Sequence, residues 1–169
     1  MTAGDDQQQL LTRVLVLAPT ARDAEVTRAL LDRAALHCVI CENLHKLSVE
    51  IRAGAGAVLI TEEAIAASGI EELLEVLGGQ PTWSELPVLV LMRGGVESTS
   101  VALRVIRSLA NVTLLERPAP MRSVISAVQT AVRSRLRQYQ IRPDPGDPPA
   151  PRKRTRRPRR SRTRRPNEG

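Results

Sequence analysis

Three groups of residues in this chain carry the types and spacings that chemistry needs. Thr61-Glu62-Glu63 sets a hydroxyl beside two carboxylates directly after an apolar run. Such carboxylates are candidate ligands for a cation, and Glu62 and Glu63 are the metal candidates of the chain. Cys38 and Cys41, flanked by His37 and His45, have the spacing of metal and redox motifs. Arg152, Lys153, Arg154, Arg156, Arg157, Arg159, Arg160, Arg162, Arg164 and Arg165 form a run of like charge suited to phosphates.

The cysteine pair reads as structural. Structural zinc takes four converging ligands, and the chain has no second Cys pair. Positions 38 and 41 differ by an odd number, so on a strand they point to opposite faces. A thioredoxin-like role needs the pair at a helix N-terminus, which this placement does not supply. Buried strand cysteines are expected. No G-x-x-x-x-G-K-[ST] loop or dinucleotide fingerprint is present, and neither histidine accompanies a convincing Ser or Cys nucleophile. No cofactor and no catalysis are expected.

Composition narrows the classes further. The chain has no Phe, and Trp83 and Tyr139 are its only aromatic residues, which argues against single-strand binders that stack bases on aromatic platforms. No apolar run approaches the roughly 18 residues of a membrane span. Met1 to Gln9 is polar and acidic, unlike a signal peptide, so a cytoplasmic protein is expected. Residues 1–142 balance 15 basic against 15 acidic side chains, so the whole net charge of +7 belongs to residues 143–169. This division sets three segments: a polar extension at 1–11, a folded domain at 12–142, and a Pro/Arg-rich tail at 143–169 that should be disordered.

Five short apolar runs punctuate the domain: Val14–Leu17, His37–Cys41, Ala57–Ile60, Pro87–Met92 and Val112–Leu115. Between them lie stretches of helical spacing. Arg22–Leu36 has Val26, Ala29 and Leu30 on its apolar side and Thr20 or Asp23 as its cap. Asn43–Arg52 places Leu44, Leu47 and Ile51 together, and Ile70–Leu77 places Leu73, Leu74 and Leu77. Glu97–Leu109 carries Val101, Leu103 or Arg104, Val105 and Leu109. Pro120–Ile141 carries Val124, Ala127, Val128, Ala131 and Val132, and Pro143 stops it. Gly78-Gly79 and Gly94-Gly95 read as turns.

Strands apolar on both faces and separated by helices imply a parallel sheet covered on both sides. The expected fold is α/β, a flavodoxin-like three-layer sandwich with strand order 2-1-3-4-5. In such sheets function gathers at the carboxyl ends of the strands. Here those ends are Ala18-Pro19-Thr20, Thr61-Glu62-Glu63, Met92-Arg93-Gly94 and Glu116-Arg117-Pro118.

At these ends the chain resembles the receiver (response-regulator) domain of bacterial two-component signalling, over about residues 12–137. Leu86-Pro87-Val88-Leu89-Val90-Leu91 and Leu115-Glu116-Arg117-Pro118 carry the likeness. It is more particularly similar to receiver-like domains placed before the kinase core of some sensor histidine kinases. The matching segments are Ala18-Pro19-Thr20, Gln80-Pro81-x-Trp83-Ser84-x-Leu86-Pro87, Arg93-Gly94-Gly95 and Asn111-Val112-Thr113-Leu114-Leu115-Glu116-Arg117-Pro118. The resemblance implies a phosphorelay module without catalysis of its own, with a histidine kinase or its core as partner. It implies a partner surface over Val101–Ala110 and Pro120–Tyr139, and a homodimer through the last helix.

The chain departs from the receiver pattern where the chemistry resides. That pattern has paired acids after the first strand to hold Mg²⁺, an Asp nucleophile ending the third strand, Ser or Thr ending the fourth and Lys before the final Pro. The corresponding residues are Ala18-Pro19-Thr20, Thr61, Met92 and Arg117. Without the acids, the positioning and charge neutralisation of phosphoryl transfer are lost, and a lone Thr hydroxyl is a poor nucleophile. Glu62 and Glu63 are expected to be solvated loop carboxylates capping the next helix, the alternatives being a cation site or mimicry of a phosphorylated state. Arg117 is expected either to be exposed or to pair with one of them. The basic tail admits three readings: an arm for nucleic acid, an inert solvated segment, or an out-of-frame translation after Arg142. A nucleic-acid-binding protein using that arm is the alternative to the signalling module.

Overall fold

A computed structural model of the chain describes residues 3–66, 69–81, 83–93 and 100–141. The basic residues 152–165, the turn at Gly94-Gly95, and the expectations attached to both lie outside these residues.

Helix α1 (Ala3–Thr12) leads into β1 (Val14–Leu17), α2 (Ala21–Arg33), β2 (Cys38–Ile40), α3 (Leu44–Ala53), β3 (Ala57–Thr61) and a single turn, α4 (Glu62–Ile65). There follow α5 (Ile70–Gly78), β4 (Val88–Arg93), α6 (Ser100–Ser108), β5 (Val112–Arg117) and α7 (Met121–Gln140). All five strands are parallel, in the order β2-β1-β3-β4-β5. This is the expected flavodoxin-like topology, with the order reversing between β1 and β3.

Alternation along the strands divides the core in two. Leu15, Leu17, Val58, Ile60, Val88, Val90 and Met92 face α3, α5 and α6. Val14, Val16, Ala57, Leu59 and Leu89 face α2 and α7. The cysteines obey the same parity: Cys38 belongs to the second layer and Cys41 to the first. They therefore sit on opposite sides of the sheet, both as free thiols. Burial, with Glu50 adding to it, pushes the Cys41 thiol up to about 11, so it stays protonated at neutral pH.

Local signals set the helix starts. Thr20 caps α2 by accepting from the Asp23 backbone N–H at 3.1 Å, and Asn43 caps α3 by accepting from Lys46 at 2.8 Å. Gly54 closes α3 at φ 123°, a conformation that side chains resist. On α3, Leu44, Leu47 and Ile51 are buried as their spacing predicts.

Four expectations need correction. Residues 1–11 are not merely a polar extension: α1 packs on α7 and buries Leu11. A helix of this length is marginal alone, since about 12–15 residues are needed in water. Burial of Leu11 and the adjacent Arg13, which donates to the Gly54 carbonyl at 2.7 Å, tie it down. On α2 the buried side chains are Ala24 and Leu31, while Val26 is 52% exposed. On α6 the inward face is Ala102, Val105 and Ile106, and Leu103 points outward. The fifth strand is not covered on both faces: it forms an edge, and Thr113 and Leu114 are exposed.

The two aromatic residues meet at the amino edge of the sheet. Trp83 and Tyr139 pack edge to face with centroids 5.6 Å apart. The Arg135 guanidinium lies 4.9 Å from the Tyr139 ring centre and donates to its hydroxyl at 3.3 Å. Ser84 Oγ donates to the same hydroxyl at 3.2 Å. Arg135 is buried, and desolvation pulls its pKa below the usual arginine value against the pull of Tyr139.

Gly56 opens β3 where that strand begins beside the junction of α1 and β1. A Cβ there would run into the Leu11 carbonyl oxygen, a backbone atom that cannot swing aside. Gly56→Ala is expected to destabilise the domain by about 1–3 kcal/mol, the usual cost of overpacking. The urea midpoint of the variant against the parent checks this.

Candidate functional site

The parallel sheet delivers the ends of β1, β3, β4 and β5 to one edge. Pairing of Thr61 with Leu91, Met92 with Glu116 and Arg93 with Arg117 sets their heights. Thr61, Glu62, Glu63, Met92 and Arg117 are thereby gathered, as the positions picked from sequence require. Thr20 stands apart at the start of α2, its hydroxyl donating to Asp23 Oδ2 at 2.6 Å.

The carboxylates are not solvated loop groups. Thr61 to Ile65 turns into helix immediately, and this single turn aims both side chains back across the sheet edge. Glu62 is 4% exposed, and its Oε2 accepts the Arg93 backbone N–H at 3.0 Å. Glu63 Oε1 accepts from Arg93 Nε at 2.9 Å and from Arg117 Nη2 at 2.5 Å. Arg117 Nε also donates to the Met92 carbonyl at 3.3 Å. One carboxylate thus clamps two guanidinium groups carried on neighbouring strands. The Arg117–Pro118 peptide that leaves β5 is cis.

Burial alone would raise the Glu63 carboxyl pKa. The hydrogen bond from Arg117, a backbone N–H, the Arg117 charge and the bond from Arg93 outweigh it and hold the carboxyl below the usual range. Arg93 stood in the sequence only within the strand end Met92-Arg93-Gly94 and was assigned no role there. Its signal was its register: it ends β4 opposite Arg117 on β5.

This donor set does not fit Mg²⁺. Ala18, Pro19 and Thr20 bring no carboxylate after β1. Glu63 holds two arginines, Glu62 holds a backbone N–H, and Asp23 holds the Thr20 hydroxyl. A divalent ion here would face two guanidinium groups instead of the oxygen shell it prefers. The described residues hold no cluster of three metal-ligating side chains. His45 is likewise committed elsewhere, to Glu72 at 2.9 Å.

Beside the clamp, between α2 and α7, the ends of β1, β3 and β4 floor a cleft of about 630 Å³. Its walls are mostly aliphatic, including Leu30, Leu59, Leu91 and Val124. Thr61 lines it too, with its buried hydroxyl lacking any hydrogen-bond partner among the described residues.

No family model matches the sequence, and no curated protein matches it. Solved structures do match in fold. The signal receiver domain of a putative Luxo repressor protein from Vibrio parahaemolyticus superimposes with TM-score 0.59 at 16% identity, covering 77% of this chain and 97% of that one. A response regulator receiver domain protein from Clostridium thermocellum gives TM-score 0.59 at 16% identity, covering 74% and 97%. A signal receiver domain of a two-component histidine kinase from the same organism gives 0.50 at 18%, covering 72% and 97%. The chain carries the receiver-like fold that its strand ends suggest.

The clamp has a pH signature. The folded Glu63 carboxyl lies below its unfolded value, so its contribution to stability is present above the unfolded pKa of about 4.3 and is lost as pH falls through the folded value. Glu63→Gln is expected to cost roughly 1–2 kcal/mol at neutral pH and to flatten the loss of stability below about pH 4. Urea midpoints of both proteins across that range test it.

Proposed function

We propose that this chain is a degenerate receiver, a non-catalytic regulatory module of two-component signalling that binds a protein partner of the histidine kinase class. The observation that carries the reading is the Glu63–Arg93–Arg117 clamp, standing in a receiver-like fold at the strand ends where phosphoryl chemistry would need acids and a metal. Two guanidinium groups share the Glu63 carboxylate, which leaves it unavailable to hold the metal that phosphoryl transfer needs. The same clamp joins α4 to the ends of β4 and β5 in one fixed arrangement, without an incoming charge.

The partner surface by this reading is α6, β5 and α7, where Leu103 and Leu114 are exposed. A histidine kinase partner is supported by the sequence segments shared with kinase-associated receivers and by α7, the longest helix described, as a route out of the domain. Homodimerisation through α7 belongs to the same proposal.

Incubation with acetyl phosphate and Mg²⁺ tests the lost chemistry. No acid-stable or hydroxylamine-labile phosphate is expected on the protein, while an intact receiver run alongside takes up label. Stoichiometric labelling of the chain would overturn the reading.

The second reading, nucleic-acid binding, rests on the +7 charge of residues 143–169. It predicts duplex DNA affinity that falls steeply with salt and disappears when the chain is cut after Arg142. Electrophoretic mobility shift across salt concentrations, with full-length and cut protein, measures this. Binding that survives the cut would sink the tail as its source.

A further inference from the structure

We infer that the cleft between α2 and α7 is a binding site for an uncharged aliphatic amphiphile, its chain against the helices and a hydroxyl head at Thr61. The inference adds a ligand to the proposed module and rests on that reading only in taking the pocket as free of metal and phosphoryl group.

The cleft opens where the strand order reverses, between the carboxyl ends of β1 and β3. Ligands of open parallel sheets bind in that crevice because the crossovers on either side leave in opposite directions. At about 630 Å³ it has the size of small-molecule sites, commonly about 300–1,000 Å³. Its walls are Val26, Leu30, Leu59, Leu91, Val124 and Ile125. Val26 and Met121, at its margin, are 52% and 43% exposed, an apolar mouth left open to water.

The charged groups at the strand ends decide the kind of head. Asp23, Glu62 and Glu63 stand there against Arg93 and Arg117. Glu63 Oε1 takes both guanidinium groups, and its buried Oε2 has no hydrogen-bond partner among the described residues. The excess of carboxylate excludes an anionic head. A cationic head fares no better. Arg93 and Arg117 both line the cleft, whereas of the three acids only Asp23 does, and it is engaged by the Thr20 hydroxyl. The amino ends of α2 and α7 also lie beside it, each worth about half a positive charge. With no net attraction for either sign, an ion entering aliphatic walls would lose its hydration without return. An uncharged ligand avoids that loss.

Thr61 supplies the polar contact. It follows Leu59 by two residues on β3, so both side chains lie on the α2–α7 side of the sheet. Thr61 lines the cleft and is 5% exposed, yet its hydroxyl has no partner among the described residues. Rotation about its Cα–Cβ bond exchanges hydroxyl and methyl between staggered positions, so the oxygen can turn to the cleft without movement of the strand. An alcohol head both donates and accepts, as the Thr61 hydroxyl does. A buried hydroxyl that gains its first hydrogen bond favours such a ligand over a bare hydrocarbon.

NMR titration of the full chain with 1-octanol, octanoate and octylammonium, each to about 1 mM, tests the site. 1-Octanol is expected to bind with a dissociation constant below about 1 mM. It should shift the amide signals of Thr61, Leu91 and Val124 and leave those of Trp83, at the amino edge, in place. Both ions should bind more weakly. Thr61→Val keeps the shape and removes the hydroxyl, and it should weaken 1-octanol roughly 3–10-fold. Val26→Asp puts a charge at the mouth, on an exposed helix position, and should weaken 1-octanol at least about tenfold. Circular dichroism confirms that both variants fold. Absence of 1-octanol binding at about 1 mM, an ion bound as tightly as 1-octanol, or 1-octanol affinity unchanged in either variant would each overturn the inference. Phosphate labelling reports separately on the signalling reading, so either can fail alone.

Discussion

A parallel strand cannot return to its neighbour through a tight turn, so every crossover in this chain must travel the length of the sheet again. The crossovers do so as helices, which cover both faces of the sheet over its central strands. From that requirement comes the aliphatic character of β1 and β3, buried at every residue. From it also comes the convergence of β1, β3, β4 and β5 at one edge. The polar residues at that edge need no proximity in sequence. Glu63 and Arg117 meet across 54 residues because β3, β4 and β5 lie side by side.

What stands at that edge is an ion cluster that joins α4 to β4 and β5. Arg117 does there what a lysine could not. Its planar fork gives one nitrogen to a strand carbonyl and another to a carboxylate, while an ammonium presents a single charge centre. Glu62 adds a bond to the β4 backbone. The loop after β3 is therefore held to β4 and β5 by side chains of its first two residues. The clamp's other consequence is spatial. By drawing the polar groups toward β4 and β5, it leaves the β1 side, where Ala18 and Pro19 stand, to the apolar cleft.

The sheet was legible in the sequence because alternation and apolar runs are short-range signals. Val14–Leu17 and Ala57–Ile60 could be little else than buried strands, and Asn43 announces α3 through its capping bond. The odd spacing of Cys38 and Cys41 placed them on opposite faces for a reason of geometry alone. The failures share a different cause. Glu62 and Glu63 looked solvated because their partners lie on strands far away in sequence, and pairing of that kind leaves no local trace. Val26 has the spacing of a core residue, but it lines the open cleft between α2 and α7. The polarity of α1 concealed that Leu11 is buried and that Arg13, just behind it, bonds to the Gly54 carbonyl.

The meeting of Trp83 with Tyr139 has a spectroscopic consequence. The chain holds a single tryptophan, and it lies against the last turns of the helix that leads out of the domain. An indole packed on a phenol ring, with a guanidinium on that same ring, emits according to how closely the ring stays in place. Bending, unwinding or reseating of α7 would alter that emission without any label being attached. The domain in this way carries its own intrinsic fluorophore against the last turns of α7.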